Sequence, residues 1–154
     1  MASARFYDSP LGPIRLTCEG GVLTGLCFSD RGEGSVSDAD RRTLSDTARW
    51  LDIYFSGRDP GFLPAMELHG TEFQKKVWDL LSGIPYGRTC SYGDIARKLA
   101  GENGRMSAQA VGNAVGSNPI AIIVPCHRVI RSDGSVGGYA FGTDVKRRLL
   151  ELER

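Results

Sequence analysis

The chain has 154 residues, 41% hydrophobic and 24% charged, with Lys and Arg (19) nearly balancing Asp and Glu (18). That is apolar material for one ordinary domain or two small ones, and the charge balance excludes an acidic solvating chain, a polybasic tail and an intrinsically disordered composition. No apolar run approaches the ~20 residues of a membrane-spanning helix. The opening MASARFYDSPLG lacks the apolar core of a secretory signal, so a cytoplasmic, reducing location is expected.

The near-neutral total conceals an asymmetry. Residues 1–70 hold seven Arg and no Lys against ten acidic residues, net −3, whereas residues 71–154 hold twelve basic against eight acidic residues, net +4. A polyanion would meet the second half more readily than the first. Four cysteines (Cys18, Cys27, Cys90, Cys126) form no CxxC pair, and there are only two histidines. Neither a disulfide framework nor a zinc ligand set is recognisable, so no metal is expected.

A short strand is predicted around Phe6, turned by Pro10, Gly12 and Pro13. Ile14, Leu16 and Cys18 then alternate with Arg15, Thr17 and Glu19, the period of a half-buried strand. Gly20-Gly21 makes a turn into a further extended run, VLTGLCF. After a polar loop, Leu44, Ala48, Leu51 and Phe55 recur at helical spacing from a start at Ser37, and Gly57 closes that helix. The Pro/Gly-rich GRDPGFLPAMELHG reads as a linker near 57–70, which divides the chain into an N-terminal sheet-and-helix domain, 1–64, and a mostly helical domain, 71–154.

In the second half Thr71 and Gln74 have the spacing of a capping box ahead of the stripe Phe73, Val77, Leu80 and Leu81. Ser91 and Asp94 cap a short helix, SYGDIARKLA; GENGR reads as a turn; Ser107 opens AQAVGNAVG, which stops at Asn118-Pro119. Two short helices about a Gly-containing turn fit a helix-turn-helix or an ordinary αα-hairpin. The β-branched run AIIVP reads as a strand leading into Cys126, followed by a glycine-rich loop. Thr143 opens a last helix with Val145, Leu149 and Leu152 on one face. The fold class is therefore α+β.

Only in Pro125-Cys126-His127-Arg128-Val129 do a nucleophile and a base adjoin. A thiolate is the reactive form of cysteine, and a Cys following an apolar strand needs help to ionise. In an extended segment neighbouring side chains point to opposite sides, so His127 would act on Cys126 through a water. Glu153, beside Leu149 and Leu152, is the candidate to orient His127. The alternative is a buried structural cysteine beside a solvated histidine.

NPIAIIVPCHRVI, followed at its spacing by GGYAFG and VKRRLLELE and preceded by FQKKVWDLLSGIPYGRTCSYGDIA and SAQAVGNAVGSNP, resembles the O6-alkylguanine-DNA alkyltransferase family over nearly all of residues 72–153. The first sixty residues match only in general pattern. The resemblance implies a C-terminal domain with a winged-helix-like helix-turn-helix. It also implies direct repair of O6-alkylguanine, and less efficiently O4-alkylthymine, in duplex DNA. The damaged base is flipped out, and its alkyl group passes once and irreversibly to Cys126 without a cofactor. His127 is then the water-mediated base and Glu153 the carboxylate that polarises it.

Asn118 matches a buried hinge asparagine, and Tyr92, in SYGDIA, a tyrosine of the guanine pocket, a reading preferred to that of a core aromatic. The backbone at Cys126, Val129 and Ala140 would bind guanine edges, with Tyr139 and Phe141 in the same loop, and Ser132 would meet a phosphate. Ala108, Ala110, Gly112 and Ala114 give the second helix a thin surface. That suits a minor-groove approach with little sequence specificity, although small residues also permit tight helix packing. Gln109 stands where many relatives have an intercalating arginine, and Phe141 where the family often has glycine. A monomer is expected, without the extra regulatory domain of adaptive-response members. A non-catalytic reader of alkylated bases and a Cys-His hydrolase are the rival readings. The first is weakened by the presence of Cys126; the second has nothing beyond the Cys-His pair.

Overall fold

The computed structural model describes residues 2–32, 34–100 and 107–154. It is α+β and divides into two compact units, residues 1–69 and 70–154.

The first unit is an antiparallel meander of β1 (Ser3–Ser9), β2 (Gly12–Glu19) and β3 (Val22–Phe28), with α1 (Asp38–Phe55) packed on it. Alternation along β2 puts Ile14, Leu16 and Cys18 in the core, fully buried, and the Gly20-Gly21 turn is built from two residues at positive φ, which glycine adopts without a steric penalty. Leu44, Leu51 and Tyr54 of α1 complete that core. Trp50 joins them and stacks on Tyr54 at 5.2 Å. Asp40 is buried at the helix start. It accepts hydrogen bonds from Ser3 Oγ (2.5 Å), Ser37 Oγ (3.0 Å) and the Gly21 amide (2.7 Å), so one carboxylate ties β1, the β2–β3 turn and α1 together. Part of the segment predicted as linker is not free. Residues 65–67 run along β3, with Leu23 N–H donating to Ala65 O (2.8 Å) and Glu67 N–H to Leu23 O (2.9 Å).

The second unit comprises α2 (Glu72–Ser82), β4 (Cys90–Ser91), α3 (Tyr92–Ala100), α4 (Ala108–Gly116), β5 (Val129–Ile130) and α5 (Thr143–Leu152). Both halves of the Thr71–Gln74 capping box form. Ser91 and Asp94 cap each other's amides at the start of α3 (3.0 and 3.1 Å). Ser107 Oγ accepts from the Ala110 amide to open α4. Helices α2, α3 and α4 pack on one another, and Trp78 Nε1 donates to Ala114 O at 2.8 Å. The GENGR turn, residues 101–105, lies outside the described residues. Among the described residues no helix is long and apolar enough to cross a membrane.

Two expectations are corrected. AIIVP is not a strand but a series of tight turns. Ile123 N–H donates to Ala121 O and Cys126 N–H to Val124 O (both 2.8 Å), and Ile122 sits at φ 70°. Its β-branched residues are chosen for burial, since 120–124 are all in the core, and Pro125 leaves no amide for a ladder. Ala114 does not belong to a thin outer surface: it faces α2 and is 3% exposed, leaving Ala108, Ala110 and Gly112.

Candidate active site

The turns before Cys126 are closed by one side chain. Asn118 Nδ2 donates to Val124 O (2.7 Å), and Asn118 Oδ1 accepts from the Ile120 amide (3.0 Å). Both ends of the loop therefore hang on the same amide group, which also favours the ionised form of the Cys126 thiol. Residues Cys126–Arg128 then form a single 3-10 turn rather than an extended segment, so the opposite-sides geometry expected for Cys126 and His127 does not apply. Their local positions are set by that turn.

Behind the cysteine lies a buried polar cluster. His127 is fully buried, with Nε2 2.6 Å from Glu153 Oε2. Glu153 caps the C-terminus of α5, where the chain turns inward from the helix. Arg128 holds the same carboxylate, Nε to Oε1 at 2.8 Å and Nη2 to Oε2 at 3.2 Å, while its Nη1 donates to Ile84 O (2.8 Å). The Gly87 amide donates a further hydrogen bond to Oε1 (3.3 Å). A buried carboxylate is tolerated only when charge and lone pairs are met, and here two side chains and an amide meet them. Burial pulls the His127 imidazole below its ordinary value, against the pull of Glu153, and so favours the neutral ring.

In front of the cysteine is a cleft of about 260 Å³ lined by Tyr92, Gly112, Val115, Asn118, Cys126 and the 138–141 loop. Tyr139 and Phe141 meet edge to face at 5.4 Å in its wall. Such a volume falls below the ~300–1,000 Å³ of sites for drug-sized ligands and suits one flat ring system. Burial pushes the Cys126 thiol up; the Asn118 amide, the charge of Lys146 and the nearby Tyr139 side chain push it back toward the thiolate.

Of the predicted residues, the cleft gathers Cys126, Tyr92, Asn118, Tyr139, Ala140 and Phe141, and the cluster behind it gathers His127 and Glu153. Val129 is buried beside Cys126 in β5, its register partner in β4 being Cys90. Ala108 and Gln109 are exposed and Ala110 half-buried on the first turn of α4, outside the cleft lining. Ser132 lines a neighbouring cleft instead. Arg128 and Lys146 carried no role in the sequence reading. Lys146 is fully buried, donates from Nζ to Gly138 O (3.1 Å) and lies 5.8 Å from the centre of the Tyr92 ring. Burial lowers its pKa to about 8. The available signal was positional. The buried face of α5 runs through Lys146 and Leu149 to Glu153, three and seven residues on, with Val145 and Leu152 only half-buried, and a charge on such a stripe asks for a partner. Among the described residues no group of three or more His, Cys, Asp or Glu could hold a metal ion.

Two family models match the chain: 6-O-methylguanine DNA methyltransferase, ribonuclease-like domain, over residues 4–62, and the DNA binding domain of the same enzyme over residues 72–154. A methylated-DNA--protein-cysteine methyltransferase of Mycobacterium tuberculosis is 45% identical over the whole chain and 93% of its own length. One of Methanosarcina acetivorans is 41% identical over 96% of this chain and 95% of its own. The crystal structure of the M. tuberculosis O6-methylguanine methyltransferase superposes with a TM-score of 0.83 at 42% identity, covering 99% of this chain and 93% of that one. A structure of M. tuberculosis OGT in complex with DNA gives 0.82 at 43% identity, over 97% and 91%. The chain belongs to the 6-O-methylguanine DNA methyltransferase family.

Proposed function

We propose that the chain is a methylated-DNA--protein-cysteine methyltransferase that removes the alkyl group from O6-alkylguanine, and less efficiently O4-alkylthymine, in duplex DNA. The observation that carries this is Cys126 at a cleft sized for one ring system, with the buried His127–Glu153 pair behind it. Residues 71–154 hold both the chemistry and the DNA contacts. Stacking hides the target carbon inside a duplex, so the base must be extruded before the sulfur can reach it. The thin first turns of α4 suit approach through the minor groove with few readers of base edges, hence little sequence specificity.

The step balances within the complex. The Cys126 proton passes through a water to His127, whose Nε2 is already engaged by Glu153, so Nδ1 takes it. The thiolate attacks the alkyl carbon, the S–C bond forms as the C–O6 bond breaks, and the electron pair goes to guanine. The base takes up one proton overall, relayed from the protein. The amide at Ala140 faces the oxygen where charge develops, backbone carbonyls at Cys126 and Val129 accept the exocyclic amine, and Ser132 meets a phosphate. No cofactor is required. The product thioether is a poor leaving group, so each molecule acts once; all the residues invoked lie in one chain, so a monomer suffices. A cytoplasmic, reducing setting keeps the thiol available.

Incubation with O6-methylguanine duplex followed by intact-mass measurement tests this. One added methylene per protein, located on Cys126 and missing in Cys126→Ala, is expected. Repeated turnover would replace the reading with a hydrolase, and binding without mass gain would replace it with a damage-recognition module.

A further inference from the structure

Beside the cysteine cleft lies a second one, of about 430 Å³, lined by Ser91, Asp94, Arg97, Arg131, Ser132 and neighbouring backbone from both β4 and β5. Its floor is Gly93. A Cβ at that glycine would sit 3.4 Å from Ser132 Oγ, 3.5 Å from Arg97 Nη1 and 3.6 Å from Ser91 Oγ, so two hydroxyls and a guanidinium converge over a bare backbone. Arg131 stands at the other lip, exposed to solvent, on a turn closed by Arg131 N–H to Ser135 O and Gly134 N–H to Arg131 O (both 3.0 Å).

The acidic groups nearby are engaged. Asp94 caps α3 and pairs with Arg97, and Asp133 accepts from Ser135 N–H (2.9 Å) and Oγ (2.6 Å). The two clefts adjoin at Tyr92, which lines the first and follows Ser91 of the second in the chain. Around Gly137 the Arg131 side chain, the Tyr92 ring and Lys146 come together, at 3.5, 3.5 and 3.7 Å from where its Cβ would be. Arg131 is close enough to favour ionisation of Tyr92 and to disfavour the charge on Lys146.

We propose that Arg131, with Arg97 and the two serine hydroxyls, forms a grip for the phosphodiester next to the extruded nucleotide. This rests on the alkyltransfer reading and adds the residue that supplies the grip's charge. A base drawn past Tyr92 leaves its own phosphate outside the cysteine cleft, where a guanidinium makes paired, charge-assisted hydrogen bonds. Gln109 brings no charge to the DNA, so Arg131 supplies attraction that the α4 side lacks.

Arg131→Ala and Arg131→Lys test it in two measurements. The first is the salt dependence of binding to an O6-methylguanine duplex. The slope of log K against log salt should fall by about 0.9 in Arg131→Ala and stay near wild type in Arg131→Lys. The second is the ratio of the transfer rate from duplex to that from the free base O6-benzylguanine, expected to fall about fivefold in Arg131→Ala, the scale of one charge-assisted hydrogen bond. Equal losses on duplex and free base would place Arg131 in control of the thiolate instead and overturn the grip, as would an unchanged salt slope. Binding is read without chemistry, so a wild-type protein that never gains mass refutes the alkyltransfer reading while the slope still decides on Arg131.

Discussion

Each unit buries a cysteine in its core, and the two thiols face opposite electrostatics. Cys18, in the sheet unit, is fully buried, and the nearest charge is the Asp40 carboxylate; desolvation and that anion together push the thiol up to about 12. Cys126, in the helical unit, is 7% exposed and also suffers desolvation, yet Asn118, Lys146 and Tyr139 all favour its ionised form. The buried carboxylates differ in the same way. Asp40 is satisfied by two hydroxyls and an amide and ties secondary structure together, whereas Glu153 is satisfied by the imidazole and guanidinium of the two residues that follow Cys126. Burial alone makes a cysteine inert; its neighbours decide whether it becomes a nucleophile.

The largest effect that would break this contrast is loss of the sulfur itself. Cys126→Ala should abolish mass gain on methylated duplex, whereas Cys18→Ala should retain it and cost only packing, about 1 kcal/mol in denaturant unfolding. Retained transfer in the first variant would end the distinction. Next is Glu153→Gln, which leaves Arg128 buried without its anion. Breaking such a pair costs about 3–5 kcal/mol, and the transfer rate per folded molecule should fall as well. Unchanged urea unfolding would show that the cluster is not coupled to the fold.

Lys146→Met should lower the transfer rate at neutral pH, because it removes a positive charge that favours the Cys126 thiolate. It also carries a signature in stability. Lys146 loses its proton near pH 8 in the folded protein and near 10.5 when unfolded, so between those values the unfolded chain binds more protons. Stability contributed by this group therefore rises with pH from 8 to 10.5, and its penalty is fully present below 8. Lys146→Met should flatten that rise, and an identical pH profile would show the lysine to be solvated.

Smaller effects concern the rims. Phe141→Gly opens the cleft wall and should change the ratio of benzyl to methyl transfer, while equal ratios would remove Phe141 from substrate contact. Gln109→Arg adds a cation to the half that already carries net +4 against −3, and should steepen the salt slope of DNA binding by about 0.9. Without any change in slope, residue 109 does not meet phosphate.

Much of this architecture is legible in the residues because it rests on local rules. The alternation in β2, the Gly20-Gly21 turn, the Thr71–Gln74 box and the Ser91–Asp94 cap each use residues close in the chain, and all appear in the structure. The AIIVP run misleads because apolar β-branched residues mark a buried strand and a buried turn alike, and only long-range packing separates them. Arg128 was passed over for a similar reason. Its partners, Ile84 O and Glu153, lie 44 and 25 positions away, beyond any window of local pattern. Cys126, His127 and Glu153 stand out through a motif and a family resemblance rather than through periodicity, and the structure brings His127 and Glu153 into contact across 26 positions.

Asn118 has a further consequence for how this region tolerates change. Its amide group closes the loop ahead of Cys126 and also favours the ionised form of the sulfur, so backbone placement and thiol electrostatics hang on one side chain. A residue that kept only one of the two roles would leave either a displaced sulfur or a well-placed but less acidic one.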